Sequence, residues 1–408
     1  MERHPDDQKE NLAALAGVRV LDCGNYLSGP YCATMFAEFG ADVIKVEQPG
    51  RGDAFRNFGT RTENGGSLLF LSENRNKRSV TLNLKHPDGA AVLKELVKWA
   101  DIIVENFQPG TMEAWGLGYD VLSAINPNLV MVRISGYGQT GPMASKPGFG
   151  RVGNAFGGLS FLAGYPDRPP VTPGSATLAD YMSGLYAAFG AVAALKARDR
   201  LGRGQVVDVA LYEAIFRVLD ELAPAYHRAG KVRQRMGPGT VNVVPHSHYP
   251  TRDDRWVAIA CTNDKMFERL TMAMGTPELA RPDRFGSFRS REEHRDEVDA
   301  LVAKWTSSLD RAEVIRRCDE AEVPCGPLYS IDEIFECPQY AARENITFVK
   351  DAKQGEVAVP SVVPKLSHTP GGIRTLGPDL GADTDDVLSG VAGLKPEEIA
   401  RLRHQGAI

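Results

Sequence analysis

The sequence predicts an α/β protein built on a parallel sheet with a second domain, and three observations carry that prediction. Short β-branched segments recur through the first third of the chain, and helix-like segments separate several of them. At 408 residues the chain also exceeds the size at which a single core stops growing, so a second domain is expected.

The strand candidates are residues 18–22, 42–47, 79–84, 102–106 and 130–135. Residues 30–39 and the amphipathic 88–99 are the helices between them. A long helix should follow Asp180 and run to about Arg200, with Leu185, Tyr186, Phe189, Val192 and Ala193 as its apolar stripe. Lys196, Arg198 and Arg200 fall near its C-terminal end, where the helix dipole favours cations, and Gly202 and Gly204 stop it. Residues 205–211 return as a strand, and 213–227 read as one further helix. A basic linker, 228–235, then precedes a change of composition. Residues 238–250 are loop-like, 256–260 form a strand, and 265–321 are mostly helical and charged. The chain from about 355 is rich in Pro, Gly and β-branched residues and ends in a polar helix, 396–403.

Charged residues make up 24% and the hydrophobic set 43%, an ordinary globular balance. The net charge of −5 argues against nucleic acid or a membrane surface as the main partner, while leaving room for a local basic pocket. No stretch is expected to reach the roughly 20 apolar residues that span a bilayer. Residues 1–10 lack the apolar core of a signal peptide and read as a polar tail. The six cysteines, at 23, 32, 261, 318, 325 and 337, form no C-x-x-C pair, so neither a zinc cage nor a disulfide framework is expected. A soluble enzyme of a reducing cytoplasm fits these features.

Several motifs narrow the chemistry. The chain contains no G-x-G-x-x-G and no phosphate-binding G-x-x-x-x-G-K-[ST], so Gly29 and Pro30 are the nearest approach to a phosphate turn. Arg75, Lys77 and Arg78 cluster just before a strand, as either a solvated turn or a seat for a polyanion. His246 and His248 share one side of an extended segment but have no third ligand at metal spacing, so no metal site is expected. Ser72, Ser135, Ser160 and Ser183 lack the setting of a nucleophile elbow. Asp180 sits at the mouth of an apolar run, as a helix cap or as a reacting group. Ser183 stands where a capping box needs Glu or Gln. Gly184 and Gly190 each cost a helix about 1 kcal/mol against Ala, which suggests a close approach there.

A series of stretches in order carries a resemblance. It runs through Gly17 to Asp22, Ser28-Gly29-Pro30, Gly40 to Glu47, Asn76-Lys77-Arg78-Ser79, Val104 to Phe107 and Ser135 to Pro142. It continues with Asp180, Ser183-Gly184, Gly202 to Asp208, Pro324 to Pro327 and Leu380 to Leu388. From about residue 15 onward the chain resembles the family III coenzyme A transferases, which include acyl-CoA racemases. The resemblance implies a Rossmann-like parallel-sheet large domain formed by both chain ends, 15–225 and 331–408. A smaller α+β domain would come from 226–330, and two copies would form an interlocked homodimer. It places a nucleophilic carboxylate at Asp180 and coenzyme A beside Lys77, Arg78, Asn106 and Phe107. Acyl-CoA is then a substrate, with no permanently bound cofactor.

Relatives that racemise acyl-CoAs use a His where this chain has Phe149, and Phe cannot exchange a proton. Transfer of CoA between carboxylic acids is therefore expected, ahead of a racemase or a catalytically silent CoA-binding subunit. Leu27, Gln48 and Ala114 depart from formyl-CoA transferases and argue against formyl or oxalate specificity. A glycine-rich loop supplies oxyanion donors in relatives; Gly237 and Gly239 are the nearest candidates, without the long glycine run. Arg151, with Arg75 or His246, is expected to pair with a second substrate carboxylate, favouring dicarboxylic acids of the succinyl-, malyl-, citramalyl- or mesaconyl-CoA type. Transfer within one dicarboxylate is a further form of the same chemistry.

Overall fold

The computed structural model describes residues 13–172, 174 and 177–408. The polar tail 1–10 lies outside the described residues. Six of the seven segments expected as strands pair in one parallel sheet: β1 (Arg19–Asp22), β2 (Asp42–Glu47), β3 (Arg78–Thr81), β4 (Ile102–Glu105), β5 (Val130–Ser135) and β6 (Val206–Ala210). Their order is β3-β2-β1-β4-β5-β6. Each pair is parallel, as strand–helix–strand crossovers require. The inner strands β1, β2, β4 and β5 are almost wholly buried on both faces, which is why they read as apolar runs rather than alternations, whereas the edge strand β6 keeps Val206 exposed.

Two helices show how the sequence covers that sheet. Helix α1 (Ser28–Glu38) buries Cys32, Ala33, Phe36 and Ala37 on one face of the sheet. On the other face, α2 (Pro87–Trp99) begins with Pro at its first position, and His86 accepts the Asp88 N–H. It buries Ala90, Val92, Leu93, Leu96 and Val97. The same core takes in Val387, Leu388, Ile399 and Leu402 from α8 (Thr384–Gly390) and α9 (Pro396–His404), so residues near the C-terminus complete the sheet unit.

Between these lie α3 (Gly150–Phe156), α4 (Leu178–Leu201), α5 (Leu211–Phe216), α6 (Leu222–Ala229) and α7 (Asp264–Met274). The single helix expected over 213–227 is two helices, α5 and α6. Pro224 explains the break: it sits in the first turn of α6, where its missing N–H is harmless, whereas one continuous helix would carry it inside.

Helix α4 corrects three expectations. It begins at Leu178, ahead of Asp180, which is therefore inside its first turn rather than its cap. Its buried face is Ala179, Ser183, Gly184, Ala187, Ala188, Ala191 and Ala194, while Leu185, Phe189 and Val192 are exposed. Small residues face inward because α4 lies close against its neighbours. A Cβ on Gly184 would come within 2.8 Å of the Ser28 carbonyl, and one on Gly190 within 2.8 Å of Val207. Finally, α4 alone among the described helices is long and apolar enough to cross a membrane by length and composition. Its small-residue face packs against the sheet unit's own core.

The chain divides into two compact units. The sheet unit comprises Met1–Ser160, Gly174–Gly230 and Ala341–Ile408, and includes an antiparallel hairpin of Ile346–Asp351 with Gly355–Pro360. The second unit comprises Phe161–Pro173 and Lys231–Tyr340. Its three-stranded antiparallel sheet pairs His246–Pro250 with Trp256–Ala260, and that strand with Cys325–Pro327. Val257, Ile259, Phe267, Leu270, Val298 and Val314 form its own core. All six cysteines are free.

Candidate active site

In an open parallel sheet the strand order reverses at one point, leaving a crevice beyond the strands' C-terminal ends. Here the reversal lies between β1 and β4, and the residues following those strands line a cavity of about 320 Å³. Asn25, Tyr26 and Ser28 come from the β1 side, Asn106 and Phe107 from the end of β4, and Ser135 from the end of β5. Lys146, Phe149 and Asp180 complete it. Among the described residues, Asp180 is the one carboxylate and Lys146 the one cation that line it.

Local contacts fix Asp180. Thr177 occupies the helix cap without a side-chain cap bond, and its carbonyl accepts the Asp180 N–H at 3.0 Å. The Ala179 N–H is taken by Asn154 Oδ1 at 3.0 Å, which ties the start of α4 to α3. Glycine is required opposite the carboxylate, since a Cβ on Gly150 would lie 2.0 Å from Asp180 Oδ2. Burial raises the Asp180 carboxyl above its ordinary value, and a hydrogen bond from Thr177 opposes the rise. A desolvated carboxylate is a better nucleophile than a hydrated one. Any activity that uses this carboxylate in its ionised form should accordingly fall as pH drops through a value above the ordinary aspartate one. A pH–rate profile measures this, with the acid limb displaced upward.

The β1 loop is held by a buried charge cluster. Lys45 Nζ lies 2.9 Å from Asp53 Oδ2 and 3.8 Å from Asp22 Oδ2, and donates to the Gly24 carbonyl at 3.0 Å. Asp53 Oδ1 accepts the Tyr26 N–H at 2.8 Å, holding Tyr26 at a left-handed φ of 60°. Asn106 clamps the same loop, donating to the Asn25 carbonyl at 2.7 Å and accepting the Asn25 N–H at 2.8 Å.

The other candidates are dispersed. Asn106 and Phe107 line the cavity with Asp180. Lys77 is buried, and its ammonium is fully used by Asp22 at 2.8 Å, the Pro30 carbonyl at 2.7 Å and Asn74 at 3.0 Å. Arg75 is buried in an ion pair with Glu38. Arg78 opens β3 and pairs with Asp42, the first residue of β2, at 2.7 Å, at the N-terminal ends of the strands, whereas the cavity lies beyond their C-terminal ends. Arg151 is exposed on α3 and does not line the cavity. His246 belongs to the second unit, its Nδ1 buried without a hydrogen-bond partner. Gly237 and Gly239 also lie in that unit, in a turn closed by a bond from the Gly239 N–H to the Met236 carbonyl.

Sequence reasoning passed over Asn25, Tyr26 and Lys146, and dismissed Ser135, whose buried hydroxyl has no hydrogen-bond partner. The signal that finds three of them is position alone, because Asn25, Tyr26 and Ser135 stand at or just beyond strand C-termini. A larger apolar hollow of about 500 Å³, bordered by Tyr186, Phe216, Leu219 and Leu222, contains none of the expected residues. Its carboxylates Asp208, Glu213 and Asp220 are engaged by the backbone N–H groups of Gln139, Ala210 and Glu221.

Comparison with known proteins decides the family: residues 15–384 match the family model for CoA-transferase family III. The chain belongs to that family. This transferase is 52% identical over 396 residues to the succinyl-CoA--L-malate CoA-transferase beta subunit of Chloroflexus aurantiacus, covering 97% of this chain and 98% of that one. It is 50% identical over 405 residues to the alpha subunit from the same organism, covering 99% and 94%. A CAIB/BAIF family protein from Brucella suis superposes with a TM-score of 0.83 at 32% identity, covering 93% of the transferase and 99% of that chain.

Proposed function

We propose that the protein transfers coenzyme A between dicarboxylic acids, with succinyl-CoA as donor and a malate-type acid as acceptor, through an aspartyl-CoA thioester at Asp180. The observation that carries this reading is Asp180 as the one carboxylate, desolvated, in a cavity at the sheet's reversal point. The similarity to both succinyl-CoA--L-malate subunits supports the choice of acids.

The chemistry follows from a carboxylate in that position. Asp180 attacks the donor thioester carbonyl, the C–S bond breaks, and CoA thiolate leaves a mixed anhydride. The thiolate attacks the Asp180 carbonyl carbon and expels the donor acid as its carboxylate. An acceptor carboxylate then repeats these steps in reverse and restores Asp180. Neighbouring donors must stabilise each oxyanion, and the unpartnered Ser135 hydroxyl is suited to that role. Lys146 supplies the cavity's positive charge for an anionic substrate group, a role that Arg75, neutralised by Glu38, does not fill. The adenosine end of CoA fits the adjoining hollow of about 360 Å³, which shares Asn25, Phe107 and Gln108 with the cavity and adds Lys85 and Trp115.

A matrix of acyl-CoA donors and free acids tests the reading. The expected result is transfer from succinyl-CoA to hydroxy-dicarboxylates, with hydroxylamine trapping Asp180 as its hydroxamate. Transfer confined to monocarboxylic acids, or trapping at another residue, would overturn it.

The working unit is proposed to be a homodimer of interlocked chains in the cytoplasm. The exposed Leu185, Phe189 and Val192 on α4 supply an apolar face for a second copy. Mass measurement of the native protein should give twice the 44.4 kDa chain. A stable monomer would exclude this assembly.

A further inference from the structure

We infer that Phe149 and Tyr26 form an apolar wall that keeps water from the acyl-enzyme at Asp180, so that the protein transfers CoA instead of hydrolysing its thioester. The inference rests on Asp180 being the nucleophile and adds to that reading a group that decides the fate of the intermediate.

Both aromatic residues line the Asp180 cavity. Their ring centroids lie 5.7 Å apart at an interplanar angle of 87°, the edge-to-face arrangement that aromatic pairs favour. The Tyr26 ring makes a second such contact with Phe58, at 5.7 Å and 90°. Phe149 is nevertheless 61% exposed, so burial in a core does not hold it in place.

The backbone holds it instead. Gly148 presses on Gly136 so closely that a Cβ on Gly136 would lie 2.7 Å from the Gly148 Cα. On the other side, Gly150 is pressed against Asp180. Two crowded glycines thus fix the one residue between them at the cavity, beside the carboxylate. Tyr26 is fixed just as firmly, by Asp53 on its own N–H and by Asn106 on the residue before it. A phenylalanine so placed offers water no hydrogen bond at all.

The chemistry gives such a wall a purpose. Transfer exchanges one thioester for another at little net cost, whereas hydrolysis of the same intermediate runs downhill. Water attacking the Asp180 carbonyl carbon of the thioester would break the C–S bond and release CoA thiolate. The carboxylate would be restored, with one water proton passing to the thiolate and the other to solvent. The competition is kinetic, and excluding water from the site is what decides it.

The test compares released CoA with newly formed acyl-CoA, using the full-length protein, succinyl-CoA and an acceptor acid. Phe149→Ala is expected to raise the ratio of hydrolysis to transfer about tenfold or more. Phe149→Leu, which keeps an apolar side chain, should return the ratio most of the way. Tyr26→Ala should raise it as well, and keeps the inference testable if Phe149→Ala fails to fold. Adding Asp180→Asn to Phe149→Ala should abolish CoA release, because the leak passes through the aspartyl thioester. An unchanged ratio in Phe149→Ala and Tyr26→Ala would overturn the inference, as would hydrolysis that survives Asp180→Asn. Transfer that survives Asp180→Asn alone would instead overturn the nucleophile assignment.

Discussion

Replacing Asp180 with Asn should cut CoA transfer by at least about 10³-fold, a loss of about 4 kcal/mol of transition-state stabilisation, while the protein becomes more stable. The rate loss follows from the proposed role of Asp180 as the group that carries the acyl and CoA intermediates. Asp180→Glu should fail nearly as badly, because the carboxylate already crowds Gly150 and has no room for another methylene. The stability gain follows from the raised carboxyl: the folded state disfavours the charged form that the unfolded chain accommodates. That cost is fully present above the folded pKa, shrinks as pH falls below it, and is gone only below the unfolded pKa. The advantage of Asp180→Asn over the native protein should therefore be clear at neutral pH and vanish in acid. Steady-state transfer assays and urea titrations at two pH values measure both effects. An inactive variant that is also less stable at neutral pH would mean that Asp180 serves the fold.

The second large effect is expected at Lys45, which does not itself line the cavity. Lys45→Met should cost about 3–5 kcal/mol, because Asp22 and Asp53 would remain buried with less compensating charge. Burial works against the Lys45 charge, yet Asp22, Asp53 and Glu47 outweigh it and hold the ammonium above its ordinary value. Lys45→Met with Asp53→Asn should recover part of the loss, since the second change removes one of the stranded charges. Recovery should not be complete, because the buried Asp22 also loses its pairing with Lys45. Urea midpoints of the single and double variants measure the coupling. Simple additivity would show that the two charges act independently.

These two sites differ in how far the sequence revealed them. Asp180 was reached through a chain-long series of matching stretches, and the sheet through β-branched runs that burial on both faces demands. The charge cluster was out of reach. A Lys at 77 or an Arg at 75 reads alike whether it meets water or a buried acid, and the partners Asp22 and Glu38 are 55 and 37 positions away. Helix α4 shows a related limit. Periodicity put Leu185, Phe189 and Val192 on one face, but it cannot say whether that face meets the chain's own core. The small residues opposite, Ala187, Ala191 and Ala194, were the ones buried. Lys146 and Phe149 lie on a loop whose course depends on the Gly136–Gly148 approach, a contact that no local pattern announces.

The strand at the edge of the sheet has a consequence for how the chain is made. On β3, Ser79 and Thr81 bond to Asp383 and Thr384, a separation of 303 residues for the Thr81–Thr384 pair. At ribosomal rates of about 5–20 residues per second, β3 waits roughly 15–60 s for those partners to be synthesised. Through that interval the apolar residues later covered by Val387, Leu388 and Ile399 have no permanent cover. Chaperone demand during synthesis should therefore be set by the nascent sheet unit rather than by the second unit, whose residues form an independent core before the chain returns to the sheet.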